Sequence, residues 1–150
     1  MIHVRVTADP IDPAALLAAV PDAGAIATFI GRVRSDDGVT ELALEHYPGA
    51  TERALEAVAD MAVSRWSLDH AAIVHRVGAM TPGDAIVFVA ATAAHRQAAL
   101  DACAFMIDRL KTDAPFWKRE RRGAEARWVE PRGGDHAAAA RWDQEPLASS

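Results

Sequence analysis

The stretch Ala71-Ala72-Ile73-Val74-His75-Arg76-Val77-Gly78-Ala79-Met80-Thr81-Pro82-Gly83-Asp84-Ala85-Ile86-Val87-Phe88-Val89-Ala90-Ala91 decides the architecture. Residues 71–77 and 85–91 read as two strands, and Pro82-Gly83 supplies the turn between them. A strand that follows a strand without an intervening helix points to an α+β fold rather than a doubly wound parallel sheet. The second strand is apolar at every position, so it needs cover on both faces, from helices or from a partner subunit.

On the N-terminal side, residues 2–7 alternate as a first strand, and Asp12-Pro13 opens a short helix to about Val20. Residues 24–34 are β-rich, and Ser35-Asp36-Asp37-Gly38 turns the chain into a strand from Val39 to Tyr47, which reads as a hairpin. Pro48-Gly49 breaks the pattern. Thr51 then opens a helix with apolar Leu55, Val58, Ala59 and Ala62, ending near Trp66. A second long helix runs from about His95 to Lys111, and Ala114-Pro115 ends it because proline cannot continue the ladder. Two short strands, 116–120 and 126–130, precede an Ala-rich helix to about Trp142. The chain is expected to form one domain over 1–142, with a C-terminal tail over 143–150.

Composition narrows the functional classes. The chain has 150 residues, 51% of them hydrophobic, enough for a real core. No apolar run approaches the ~18–20 residues of a membrane span, and the first residues lack the apolar centre of a signal peptide. One cysteine, Cys103, allows no internal disulfide and no cysteine-built zinc site. The six histidines show no pair at metal-ligand spacing on one helix, and no phosphate-loop, dinucleotide, nucleophile-elbow or zincin motif is present. The expectation is a cytoplasmic protein with no metal, no cofactor, no membrane and no nucleic acid.

The net charge of −5 hides a local asymmetry, because nine of the sixteen basic residues lie between Arg96 and Arg132 against six acids. Such a focus attracts a local anion. Only Lys111 and Lys118 are lysines; the other fourteen basic residues are arginines. An amine can act as nucleophile or base where a guanidinium cannot, so two amines flanking Pro115-Phe116-Trp117 suggest chemistry. His95-Arg96, where an apolar strand gives way to a helix, is a place for helix amides and a cation to hold a phosphate. His95 and Lys111 stand sixteen residues apart on one helix, about 24 Å along its axis. One small substrate cannot touch both within a subunit. The expectation is therefore a two-fold dimer whose sites combine Lys111 and Lys118 of one chain with His95 and Arg96 of its mate.

These residues carry a resemblance. The segments 24–34, Leu44-Glu45-His46-Tyr47-Pro48-Gly49, His75-Arg76-Val77-Gly78, Pro82-Gly83-Asp84, Ala94-His95-Arg96, 110–120 and Arg127-Trp128-Val129-Glu130 resemble, in order, the catalytic (large) subunit family of molybdopterin synthase. The resemblance implies an α/β-hammerhead-type fold with an additional antiparallel β-sheet. It implies a sulfurtransferase that converts cyclic pyranopterin monophosphate (precursor Z) to molybdopterin in molybdenum cofactor biosynthesis. Sulfur would come from the C-terminal Gly-Gly thiocarboxylate of a small ubiquitin-like carrier subunit, two such carriers flanking a homodimer in a heterotetramer. It marks Lys111 and Lys118 as catalytic, and Arg34, His95, Arg96 and Arg132 as substrate-pocket residues. Arg32, Val33, Arg119 and Glu120 fall in adjoining binding stretches. The competing reading is a small RNA- or phosphate-ligand-binding module using Trp117 as a stacking platform, which a pI near 5.6 and the paired lysines disfavour.

Overall fold

The structure, a computed structural model, describes residues 1–129 and 133–143. In chain order the elements are β1 (Ile2–Thr7), α1 (Pro13–Ala18), β2 (Ala25–Arg32), β3 (Glu41–His46), α2 (Ala50–Trp66), β4 (His70–Arg76), β5 (Gly78–Met80), β6 (Ala85–Ala93), α3 (Arg96–Asp113), β7 (Phe116–Arg122), β8 (Glu125–Val129) and α4 (Gly133–Ala140). Single 3-10 turns occupy Asp36–Gly38 and Arg141–Asp143. The strands form two four-stranded sheets, one ordered β1-β4-β6-β2 and the other β5-β3-β7-β8. The first is mixed, with β1 parallel to β4, and the second is antiparallel throughout. This is the expected α+β architecture with its additional antiparallel sheet.

The apolar strand β6 is covered on both faces by helices. Val87, Val89 and Ala91 face α2 and α3, where they meet Leu55, Val58, Ala62, Ala102 and Met106. Phe88 and Ala90 face the other way, toward Leu16 of α1 with the flanking Ile11 and Val20. Burying Leu55 and Val58 contributes about 1.5–3 kcal/mol each. The side chain of Asp12 caps α1 by accepting from the amides of Ala14 and Ala15. At the start of α2, Thr51 Oγ1 donates to Tyr47 O at 2.9 Å, and the Glu52 carboxylate accepts from the Gly49 amide. Gly49 has φ +85, a conformation that a side chain would strain.

The hairpin expected from 24–47 does not form. β2 pairs with β6 in the first sheet, and β3 pairs with β5 and β7 in the second. The register of β2 shifts between Gly31 and Arg32, and beyond it Val33 bonds to the 81–84 turn instead of to β3. Val33 is buried with Leu42, Leu44 and Met80, so the segment crosses from one sheet to the inner face of the other. The three-residue strand β5 also lies outside the sequence-based expectation, being too short to show periodicity.

The C-terminal turn is fastened to the first of these clusters. Trp142 packs edge-on against Trp66 and Phe105, with centroids 5.6 and 5.8 Å away. Its Nε1 donates to Asp108 Oδ2 at 2.7 Å, and Arg65 donates to its carbonyl at 2.8 Å. No helix among the described residues is long and apolar enough to cross a membrane.

Candidate active site

Two sets of side chains emerge, at opposite ends of α3. Lys111 lies exposed in the last turn of the helix, and a short connection through Ala114 and Pro115 leads into β7 and Lys118. Lys118 pairs across the ladder with Leu44, on the face of the second sheet that packs around Val33. Val33, Lys118 and Glu120 thus share one face of the second sheet, with Arg32 and Arg34 flanking Val33 in the chain.

Alternation along β7 sorts its charges. Lys118, Glu120 and Arg122 share one face, and the Glu120 carboxylate lies 3.5 Å from both Lys118 Nζ and Arg122 Nη2. These pairs are partly exposed, so each is worth about 1 kcal/mol or less, and their effect is to fix where the ammonium sits. Arg119 points to the opposite face and lies 5.7 Å from the ring of its cross-strand neighbour Trp128. Trp117 shares that outer face and is 49% exposed, whereas an aromatic there reads first as core. Phe116 is the one that packs inward: it stacks on His75 with centroids 4.0 Å apart. Burial drives the His75 imidazole down to about 4, against a bond between Nδ1 and the Arg76 carbonyl that pulls the other way. His75 is therefore a neutral wedge beneath the start of β7.

Arg34 is exposed, with Asp36 3.8 Å away, and its backbone is the fixed part. The Val33 amide donates to Asp84 O at 2.9 Å and the Gly83 amide donates to Val33 O at 2.8 Å. Arg32 Nη1 reaches Gly83 O at 3.4 Å. Asp84 in turn accepts from the Thr81 amide at 2.9 Å and faces Arg76 Nη1 at 3.4 Å. The Thr81 amide bond, then the Arg76 charge, hold the Asp84 carboxyl below the usual carboxylate range. Arg76 and Asp84 lie outside the set of residues expected at the site. The one local signal is the turn Thr81-Pro82-Gly83-Asp84; the Arg76 partner is nonlocal.

At the far end, His95 precedes the first turn of α3 in an extended conformation and makes no side-chain capping bond. No acid stands in that first turn, and His95 and Arg96 are both exposed. A helix N-terminus with its amides uncapped and a guanidinium beside it suits an anion. Gly24 lets the chain pass here, since a Cβ on it would stand 2.3 Å from the Ala94 carbonyl oxygen. Two rulers separate this end from Lys111 and Arg34: the sixteen-residue rise from His95 to Lys111, about 24 Å, and the eight residues of β2, about 26 Å. The sets do not meet within one subunit. Arg132 lies outside the described residues.

Two surface grooves of the subunit lie elsewhere. One of about 620 Å³ runs between β1 and α2, lined by His3, Arg53, Glu56 and Asp60. The other, about 470 Å³, lies beside Trp142 and Arg65. Neither includes Lys111 or Lys118. Among the described residues no group of His, Cys, Asp and Glu has the arrangement of a metal site. Cys103 is buried in α3, and desolvation raises its thiol to about 11, which makes it inert.

The subunit is a two-sheet α+β fold with lysines at and beyond the C-terminal end of a long helix and an exposed imidazole and guanidinium at its N-terminal end. The chain belongs to the MoaE protein family, whose model matches residues 6–113. It is 47% identical over 147 residues to the molybdopterin synthase catalytic subunit of Caulobacter vibrioides, covering 95% of this chain and 98% of that one. Among solved structures it is similar to the molybdopterin biosynthesis MoaE protein from Burkholderia ambifaria MC40-6, at TM-score 0.82 and 48% identity, over 97% of this chain and 100% of that one. It is also similar to a chain of molybdopterin synthase from Staphylococcus aureus, at TM-score 0.77 and 28% identity, over 83% and 95%.

Proposed function

We propose that this chain is the catalytic subunit of a molybdopterin synthase, an enzyme of molybdenum cofactor biosynthesis. It is a sulfurtransferase that converts cyclic pyranopterin monophosphate to molybdopterin. The two sulfurs come from the C-terminal thiocarboxylate of a small ubiquitin-like carrier subunit, bound at each end of a homodimer. The observation that carries the reading is end-to-end similarity, near half of all positions, to a relative of that name. The unit that performs the reaction is residues 1–142, with 143–150 as a tail, and it works in the cytoplasm.

The chemistry of the side chains supports roles for each. The substrate phosphate and the carrier thiocarboxylate are both anions, so Arg34, Arg96 and Arg132 suit the first and the lysine ammonium groups draw in the second. Lys111 contacts the thiocarboxylate carbonyl and assists transfer of sulfur to the pterin. Lys118, steadied by Glu120, binds substrate and the half-sulfurated intermediate together with the arginines. His95 adds a donor or proton shuttle. Arg32, Val33 and Arg119 complete the binding stretches. Two sulfurs need two carriers, so the intermediate must stay anchored while one spent carrier leaves and another arrives. The lengths of α3 and β2 favour a site composed from two subunits, with His95 and Arg96 contributed across the dimer.

Reconstitution tests the reading. The purified chain, mixed with a thiocarboxylated carrier and cyclic pyranopterin monophosphate, should yield molybdopterin; carrier binding without product would reject it.

A further inference from the structure

Arg34 extends its guanidinium into solvent, and its ion-pair neighbour, Asp36, is itself exposed. Side-chain contacts therefore do not aim it; the backbone before it does. Val33 is held from both sides, its amide on Asp84 O at 2.9 Å and its carbonyl on the Gly83 amide at 2.8 Å. Those two bonds are only as firm as the 81–84 turn that makes them. The turn is closed by its backbone, the Asp84 amide donating to Thr81 O at 3.0 Å, and is reinforced by one carboxylate oxygen, Asp84 Oδ2, which accepts from the Thr81 amide at 2.9 Å and from Thr81 Oγ1 at 3.3 Å.

The same oxygen faces Arg76 Nη1 at 3.4 Å, and Arg76 Nη2 donates to Ala79 O at 3.5 Å. Arg76 ends β4 of the first sheet and Ala79 lies in β5 of the second, so this guanidinium ties the turn to the joint between the sheets. Its side chain is only 12% exposed, which leaves it little reach toward a ligand. We propose that Arg76 and Asp84 are positioning residues that, through the Thr81–Asp84 turn and Val33, set the direction in which Arg34 meets the anionic substrate. The inference rests on the substrate role given to Arg34 above. Because Arg34 is assigned to holding the anion rather than to the bond-making step, misdirecting it should weaken substrate binding and so raise KM more than it lowers kcat.

The test is a double-mutant cycle on the assembled synthase, with thiocarboxylated carrier saturating and cyclic pyranopterin monophosphate varied. Asp84→Asn keeps the shape and removes the charge; it should raise KM about tenfold while kcat stays within about threefold. Arg76→Met should do the same, and Arg76→Lys should return KM to within about threefold of the parent. In an Arg34→Ala background, Asp84→Asn should raise KM no further, because the group it positions is gone. Additive effects in that background, or an unchanged KM in both Asp84→Asn and Arg76→Met, overturn the inference. If those variants do not fold, Thr81→Val, which removes one exposed hydroxyl contact, takes their place in the cycle with a smaller rise of about threefold. An Arg34→Ala enzyme with parental KM removes Arg34 from the pocket and this inference with it. Failure of the parent chain to make any molybdopterin sinks the broader reading instead.

Discussion

The two ends of α3 hold their candidate side chains in different ways. At the C-terminal end the surroundings are braced: Phe116 stacks on buried His75, Glu120 spans Lys118 and Arg122, and the 81–84 turn grips Val33. At the N-terminal end His95 and Arg96 stand exposed with no side-chain cap and no acid in the first turn. The braced end suits groups that must meet a reacting atom in one geometry. The open end suits groups whose final surroundings come from another subunit.

The largest expected effect tests the braced end. Lys111→Ala should lower kcat by about a thousandfold or more while carrier binding stays measurable, and near-parental turnover would remove Lys111 from the chemistry. Next comes the pairing of the two ends. Co-expressed Lys111→Ala and Arg96→Ala subunits, each nearly inactive alone, should form mixed dimers with one intact site. Random assortment then restores about one quarter of parental activity. No recovery in verified mixed dimers would place both ends in the same subunit's site.

A third expectation concerns the brace itself. The folded protein holds His75 neutral down to about pH 4, whereas an unfolded chain protonates its histidine near 6.5. The unfolded state therefore binds the extra proton between those values. The stability contribution is complete above about pH 6.5 and is lost as pH falls toward 4, by roughly 3 kcal/mol at most. Urea titrations at pH 7 and pH 4.5 would measure it, and His75→Leu should flatten the profile. The smallest effect is at Cys103, where Cys103→Ala should cost about 1 kcal/mol and leave turnover unchanged, as measured by melting and by the synthase assay.

Local pattern makes much of this legible. The apolar spacing of Leu55, Val58, Ala59 and Ala62 announces α2, and all four are buried. Two lone lysines in an arginine-rich chain mark the amine pair by composition alone. Partner choice is not legible. Residues 24–34 and 39–47 have the look of a hairpin, but the bulge after Gly31 sends Val33 to the 81–84 turn, a contact fifty residues distant in the chain. The sequence reading places Arg76 and Asp84 in resembling stretches without pairing them, and alternation alone could not say that Trp117 faces out while Phe116 faces in.

Gly24 acts well beyond its own place in the chain. Because its missing side chain leaves room for the Ala94 carbonyl, a single methyl group there would have to shove aside the backbone that launches α3. The placement of an imidazole and a guanidinium is thus governed by an atom that is not there, some seventy residues earlier in the chain. A substitution at this unassuming position would first displace its own subunit's backbone at the start of α3, and His95 and Arg96 with it.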